Sequence, residues 1–196
     1  MNVISLLVKV GRALEDASIP YMVIGGQAVL VHGEPRLTTD IDITLGVGID
    51  RFNDIFRLTK KLEFLPVPRN PESFAQKTFV FPAKDEESGL RVDFIFSSTP
   101  YEIGAIRRGK RIKMGRMEVN FASVEDLVIH KIFAGRAIDI EDVKGVLLKN
   151  PNVDKRYIQR WLKEFDRAVE GSELLKIFQK IVKESLLQSL RGKKFE

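Results

Sequence analysis

Apolar positions recur with two different periods in the first part of the chain. Spacings of three and four residues predict helices at 2–17, 27–31, 50–62 and 101–107, the third with Asp50 as its N-cap. Alternation and short apolar runs predict strands at 21–24, 39–45, 76–81, 90–96, 111–114 and 117–121, with a hairpin loop at 84–89. This mixture indicates an α/β (α+β) fold in which a mixed β-sheet is flanked by helices.

From Ser123 the pattern becomes helical only. Periodic apolar residues predict helices at 124–134, 139–148, 154–169 and 172–190, and residues 191–196 are expected to be a frayed tail. We therefore divide the chain into a core at 1–122 and an all-helical C-terminal subdomain at 123–196. The apolar stripe of the last helix predicts core packing or a dimer contact.

Two acidic residues share one face of the second predicted strand. Asp40 and Asp42 alternate with Ile41 and Ile43, so both carboxylates point away from the isoleucines, about 7 Å apart. The chain has 12 Asp, and roughly one Asp-x-Asp triplet is expected by chance, so the pair alone decides little. Its position after a predicted strand-to-helix turn is what makes it informative.

A carboxylate pair of this kind suits a divalent metal beside a nucleoside triphosphate. Mg²⁺ takes a few carboxylates and completes its shell with water and substrate phosphates, and two ions can clamp the attacking and leaving oxygens. A third carboxylate is expected from a neighbouring strand. Asp93 interrupts the apolar run at 90–96 and is the candidate, with a second possible role as the base for an attacking hydroxyl. The other interpretation is a solvated face.

Two features near the pair suggest phosphate contacts. Gly25 and Gly26 would let backbone N–H groups approach phosphate oxygens at a helix start, although a plain strand-to-helix turn explains them too. Arg36 precedes Asp40 by four residues and could reach a phosphate or the acceptor. Its other interpretation is a surface arginine.

A second charged cluster occurs in the helical part of the chain. Lys131, Arg136, Asp139 and Asp142 fall in a predicted helix–turn–helix segment. In the simpler interpretation Asp139 caps the second helix and shares a face with Asp142. In the other, the lysine neutralises triphosphate charge as pyrophosphate leaves.

Composition narrows the remaining possibilities. With no Cys and two His, a disulfide framework, thiol catalysis and a cysteine zinc site are excluded, and a histidine-rich metal site is disfavoured. The formal net charge of +5 fits an anionic partner such as NTP or RNA. The N-terminal apolar run is too short for a signal or membrane segment, so we expect a cytoplasmic protein without membrane contact.

The motifs taken together resemble a known family. Gly25-Gly26-Gln-Ala28 followed by Arg36-x-Thr38-x-Asp40-Ile-Asp42 resembles the signature of the DNA polymerase β-like nucleotidyltransferase superfamily. Lys131-x-x-Ala134-x-Arg136-x-x-Asp139-x-x-Asp142 is similar to the downstream motifs of its AbiEii/MenT-like branch of minimal nucleotidyltransferases. The resemblance runs from residue 19 to residue 142.

This resemblance implies specific roles for the residues that match. The family's metal ligands correspond to Asp40 and Asp42, and its third carboxylate to Asp93. Its later lysine corresponds to Lys131, and its distal acidic motif to Asp139 and Asp142. The chain departs from the pattern where many members have Gly-Ser, because Gly25-Gly26 lacks a phosphate-binding hydroxyl for which Gln27 is a candidate substitute. It also departs where Arg136 and Asp139 are three residues apart instead of adjacent.

We therefore predict a Mg²⁺- or Mn²⁺-dependent nucleotidyltransferase. It would move an NMP from an NTP to an acceptor hydroxyl on tRNA, a protein or a small molecule, and release pyrophosphate. The alternative is a non-catalytic NTP-binding domain in a toxin–antitoxin or regulatory complex, with an antitoxin or other protein as partner. Retention of three carboxylates argues against it. A nuclease is a third alternative, which the Gly25-Gly26 turn disfavours.

Overall fold

The structure is a computed structural model that describes residues 2–97, 99–115 and 117–192, with side chains described as far as residue 185. Two compact units are present. The first comprises the chain up to Gln27 together with Leu37–Ser123, and the second comprises Ala28–Arg36 together with the chain from Val124 onward. The domain boundary at residues 122 and 123 remains a prediction. Most of the tail expected at 191–196 lies outside the described residues.

The first unit is built on a mixed sheet of seven described strands. They are β1 (Tyr21–Ile24), β2 (Asp40–Leu45), β3 (Phe64–Pro66), β4 (Val80–Asp85), β5 (Arg91–Phe96), β6 (Lys110–Met114) and β7 (Met117–Phe121). Their order across the sheet is β3-β4-β5-β2-β1-β7-β6. The β2–β5 and β1–β7 pairs are parallel, and the other neighbouring pairs are antiparallel.

Helices flank this sheet within the first unit, and the described residues from Val124 onward form helices without strands. The first five are α1 (Val3–Asp16), α2 (Gly25–His32), α3 (Phe52–Lys61), α4 (Pro71–Thr78) and α5 (Pro100–Arg108). The later four are α6 (Val124–Ala134), α7 (Ala137–Lys149), α8 (Lys155–Ala168) and α9 (Leu174–Gly192). The predicted fold class, a mixed sheet flanked by helices and followed by helices only, is confirmed.

Alternation of side chains gives the two central strands one apolar face each. Ile41 and Ile43 of β2 are buried, as are Val92 and Phe94 of β5. Because side chains alternate along a strand, the intervening residues of both strands share the opposite face. The buried face of β5 contributes two rings to an aromatic cluster whose centroids lie 5.3 to 6.3 Å apart in the contacting pairs: Phe52, Phe56, Phe81, Phe94 and Phe96.

Two local predictions are wrong. The strand predicted at 76–81 is the end of α4 followed by the start of β4, since Pro71 at the first helical turn begins a helix that continues to Thr78. Phe79 then adopts a left-handed conformation, with φ of 56°, that ends it. Asp50 is not an N-cap, because it lies inside a 3₁₀ turn at Ile49–Arg51 that precedes α3.

Among the described helices, none has the length and apolar character that crossing a bilayer would require.

The aromatic cluster should dominate the stability of the first unit. Phe94 is fully buried, so Phe94→Ala should lower the free energy of unfolding by about 3–5 kcal/mol, through lost burial and the cavity that remains. Urea unfolding followed by circular dichroism measures this loss. Phe74→Ala is the matched control, because Phe74 is 40% exposed and should cost far less. Equal losses in the two variants would contradict this assignment of the core.

Candidate active site

Three carboxylates come together where β2 and β5 pair. Asp40 and Asp42 lie on the same face of β2, and the parallel register places Asp93 directly beside Asp42. Residues paired on neighbouring strands point to the same face, with backbones about 5 Å apart. Asp40 is exposed, and the other two are partly exposed. The structure thus brings the three predicted metal ligands together on one solvent-reachable face.

Arg91 lies on the same face as the three carboxylates. Arg91 pairs in register with Asp40 and lies two residues before Asp93, so it belongs to the same face. Its Nε donates to Asp93 Oδ1 at 2.6 Å, and its Nη2 donates to Asp93 Oδ2 at 2.8 Å. These hydrogen bonds raise the pKa of the Arg91 guanidinium, and the negative charges of Asp93, Asp40 and Asp42 raise it further. The four residues form a two-by-two arrangement with three negative charges and one positive charge.

Neighbouring polar groups position Asp40. The Thr39 hydroxyl donates to Asp40 Oδ1 at 2.6 Å, which orients the carboxylate. The buried Gln27 donates its side-chain N–H to the Asp40 backbone carbonyl at 3.2 Å. Gln27 therefore holds the start of β2 in place, a contact that the sequence did not indicate.

The two glycines are required by close packing around the carboxylates. Gly25 adopts a positive φ of 63° at the start of α2, and a Cβ on it would overlap Asp42 Oδ2. A Cβ on Gly26 would overlap the hydroxyl of Thr38. The chain therefore turns from β1 into α2 against the Asp42 carboxylate, where any side chain at Gly25 would displace it. Packing therefore requires both glycines, and their phosphate-binding role remains a prediction.

The donor chemistry of this face fits a hard divalent cation. Carboxylate oxygens are the ligands that Mg²⁺ prefers, and one or two of them with substrate phosphates are enough. Asp40 and Asp42 offer such oxygens on one face, with Asp93 as a third. In the described part of the chain, however, no three acidic or histidine side chains converge as a ready-made metal group. Arg91 donates to both carboxylate oxygens of Asp93, so these oxygens are directed to Arg91 and not to a point shared with Asp40 and Asp42.

The second unit contains its own charge network, centred on a buried lysine. Lys131 is 4% exposed, and its Nζ lies 2.7 Å from Asp139 Oδ1 and 2.8 Å from Asp142 Oδ2. Arg136 donates to both oxygens of Asp139, and Arg36 donates to both oxygens of Asp142. Three cations therefore surround two carboxylates. Such pairing is what allows a lysine to be buried in its charged form.

Asp139 is both a helix cap and the centre of this network. Its Oδ2 accepts from the backbone N–H of Arg136 at 3.3 Å. Arg136 is the N-cap of α7, and Asp139 closes a capping box from the third helical position. The predicted cap at Asp139 is therefore displaced by three residues, because α7 begins at Ala137 instead of 139. Burial raises the pKa of the Asp139 carboxyl, but hydrogen bonds from Arg136 and Lys131 outweigh it, so the net pKa lies below the ordinary value. The predicted roles of Lys131, Arg36, Asp139 and Asp142 in substrate binding remain predictions.

Solved structures of similar shape include two of the protein ANT(2″)-Ia. The solution structure of this antibiotic-resistance factor has a TM-score of 0.56 at 14% identity over 97% of both chains. The crystal structure of ANT(2″)-Ia in complex with adenylyl-2″-tobramycin has a TM-score of 0.57 at 14% identity, over 84% of this chain and 97% of that one. An antigenic nucleotidyltransferase-like protein from Paracoccidioides brasiliensis has a TM-score of 0.55 at 17% identity, over 84% and 87%.

The chain has the nucleotidyltransferase fold. No family model matches the sequence, and neither does any curated protein. At identities of 14% and 17% the likeness concerns the fold alone. The AbiEii/MenT-like branch and the toxin–antitoxin context therefore remain predictions from the sequence.

Sequence reasoning missed Arg91 and Thr39 at the carboxylate face of this nucleotidyltransferase fold. Arg91 could have been found from the strand period, because it lies two residues before Asp93 and must share its face. Its place opposite Asp40 depends on the register between β2 and β5, which sequence alone does not set. The hydroxyl of Thr39 contacts Asp40, a contact that the residue pattern alone does not indicate.

Substitution of Gly25 tests the packing at Asp42. Gly25→Ala should lower the free energy of unfolding by about 1–3 kcal/mol, since alanine is strained at positive φ and its Cβ would overlap Asp42 Oδ2. Urea unfolding checks the loss. Gly104→Ala is the control, because a Cβ there meets nothing within 4 Å inside helix α5. Unchanged stability in Gly25→Ala would show that this close approach is absent.

The buried network should make stability depend on acid pH. Because the folded-state pKa of Asp139 is lowered, its contribution is complete above the unfolded-state pKa, and it disappears as pH falls through the folded-state pKa. Asp139→Asn should therefore lose about 3–5 kcal/mol of unfolding free energy at pH 7, since the buried Lys131 and the neighbouring arginines would keep only one carboxylate, Asp142. The difference from the wild type should shrink below about pH 4.

Urea unfolding at pH values from 3 to 8 measures that difference. Glu164→Gln removes an exposed partner of Arg167 in the same unit and should have little effect at any of these values. A loss in Asp139→Asn that stayed constant with pH would exclude the ion pairs as its source.

Proposed function

We propose that this protein is a metal-dependent nucleotidyltransferase that transfers an NMP from an NTP to an acceptor hydroxyl. The observation that carries the proposal is the placement of Asp40, Asp42 and Asp93 on one face of two parallel strands, in a fold shared with nucleotidyltransferases. Three carboxylates on a solvent-reachable face repel one another, and Arg91 offsets only one of the three negative charges. The negative charge that remains supports a cation-binding role for the face.

Asp40 and Asp42, with Asp93 as the third carboxylate, are the residues that would hold Mg²⁺ or Mn²⁺. A bound divalent ion would neutralise the triphosphate and the departing pyrophosphate. Other side chains of the protein would position these metal ligands. Thr39 and Gln27 keep Asp40 in position.

The start of α2 lies directly against Asp42, because Gly25 leaves no side chain between them. Backbone N–H groups at a helix start donate to phosphate oxygens. We therefore assign the Gly25-Gly26 turn to the triphosphate.

The reaction would join an acceptor oxygen to the α-phosphorus of the NTP. The bond between that phosphorus and the oxygen bridging to the β-phosphate breaks, and pyrophosphate leaves with the bonding electrons. The hydroxyl proton passes to Asp93, which lies beside Asp42 and can serve as the base.

The acceptor is a hydroxyl on a small molecule, a protein or tRNA. The ANT(2″)-Ia crystal structure holds adenylyl-2″-tobramycin, which supports a small-molecule acceptor for a protein of this fold. The net charge of +5 is compatible with RNA, because cationic proteins attract phosphate chains.

One observation favours the second candidate function, a non-catalytic NTP-binding domain in a toxin–antitoxin or regulatory complex. Arg91 engages both oxygens of Asp93, so that carboxylate already has a cation as partner. A domain that only binds nucleotide would have no need to release it. Measurement of turnover separates the two functions.

The proposal is tested by transfer of label from each α-³²P-NTP with Mg²⁺, offered total tRNA, cell lysate or no acceptor. Asp42→Asn should reduce transfer by about 10²–10³-fold, the scale lost with one charge-stabilising group, while circular dichroism shows an intact fold. Asp54→Asn, at a partly exposed position of α3, should retain full transfer. Undiminished transfer in Asp42→Asn would refute the mechanism. NTP binding without transfer to any acceptor would support the second function.

A further inference from the structure

Arg91 holds Asp93 on both carboxylate oxygens. The two N–O distances of 2.6 and 2.8 Å describe a fork in which the planar guanidinium matches the carboxylate, the strongest geometry for this kind of pair. Both oxygens of Asp93 point to Arg91, so in this arrangement they are not offered jointly with Asp40 and Asp42. This agrees with the lack of a converged metal group among the described residues.

The same guanidinium lies in the field of all three carboxylates. Arg91 is the register partner of Asp40, and Asp93, Asp40 and Asp42 each contribute to its raised pKa. A positive charge in this position lowers the negative potential that would attract a dication, since like charges a few ångströms apart repel. Arg91 thus neutralises part of the site before any metal arrives.

We propose that Arg91 is a resident counter-ion that must leave Asp93 before this carboxylate can join Asp40 and Asp42 in holding a divalent metal. The inference rests on the proposed function, because it concerns the same carboxylate face. Arg91 acts here through Asp93 and is a positioning residue. Release of Arg91 from Asp93 determines when this third carboxylate can bind the metal.

Exposure shows that this release is feasible. The Arg91 side chain is 48% exposed, whereas that of Asp93 is 14% exposed. Water can solvate the Arg91 guanidinium as it leaves, which lowers the cost of opening the pair below that of a buried pair. The guanidinium can therefore swing outward while the strand keeps Asp93 in place.

An arriving triphosphate offers Arg91 a new anion that its fork fits equally well. Transfer of Arg91 from Asp93 to a phosphate would free the carboxylate at the moment when the nucleotide arrives. Binding of nucleotide and binding of metal are thereby coupled through one side chain. Without nucleotide, the resting site binds metal weakly.

The decisive measurement is Mn²⁺ binding to the full chain without nucleotide, followed by the electron paramagnetic resonance signal of free Mn²⁺. Arg91→Gln should bind Mn²⁺ about tenfold more tightly than the wild type, because a repelling charge is removed and Asp93 is freed. Arg91→Lys keeps the charge without the fork and should fall between them. Arg57→Gln is the matched control, since Arg57 pairs with Asp54 on an exposed helix surface and should not alter Mn²⁺ affinity.

A double-mutant cycle identifies Asp93 as the group through which Arg91 acts. In an Asp93→Asn background, Arg91→Gln should lose most of its gain in Mn²⁺ affinity, since no carboxylate remains to be freed. With α,β-methylene ATP present, Mn²⁺ affinity should increase more in the wild type than in Arg91→Gln. A merely structural role for Arg91 would produce neither result.

The outcomes separate this inference from the proposed function. If Asp42→Asn loses Mn²⁺ binding while Arg91→Gln matches the wild type, the counter-ion role is wrong and the metal site stands. If Asp42→Asn binds Mn²⁺ as the wild type does, the proposed function fails. Failure of both the wild type and Arg91→Gln to bind Mn²⁺ would also overturn the counter-ion role.

Discussion

The parallel, in-register pairing of β2 with β5 is the constraint on which the candidate site depends. It places Asp42 beside Asp93 and Asp40 beside Arg91, and the buried residues of both strands hold this register. Because the side-chain period of a strand is two, a slip by one residue would turn the apolar set to solvent and the carboxylates into the core. The hydrophobic pattern that builds the core therefore also aims the charged groups at solvent.

The strand period made the most informative part of this site predictable. Alternation in β2 placed Asp40 and Asp42 on one face, and an interrupted apolar run identified Asp93. Helical periodicity likewise gave the four C-terminal helices. The placement of these residues and helices was predictable because it depends on burial within a single element, which is a local property of the sequence. The metal-binding role of the three aspartates stays a prediction.

The failures have different physical origins. The three residues before Phe79 belong to α4 because a proline at its first turn and a left-handed residue at its end set its limits, and such backbone effects outweigh the weak apolar signal there. The place of Arg91 opposite Asp40 depends on the register between two strands that lie far apart in sequence. Ala28–Arg36 belongs to the second unit although it lies between two segments of the first unit in sequence, and this assignment likewise depends on contacts between residues far apart in the chain. The local pattern of apolar and polar residues indicates neither the strand register nor the assignment of this segment to a unit.

The two charge networks differ in what it costs to open them, and that difference suits different tasks. Lys131 and its two carboxylates are almost fully buried, so separating them would leave bare charges in a medium of low polarity, a cost of several kcal/mol. The Arg91 side chain is 48% exposed, so water can solvate the guanidinium when its pair with Asp93 opens, and the cost is lower than for a buried pair. At a site that must accept a dication, the cation already paired with a carboxylate has to leave at low cost. Where two helices must stay packed together, the ion pairs between them have to stay closed. By this physical criterion the Arg91–Asp93 pair is the exchangeable element, and the Lys131 network is the fixed one.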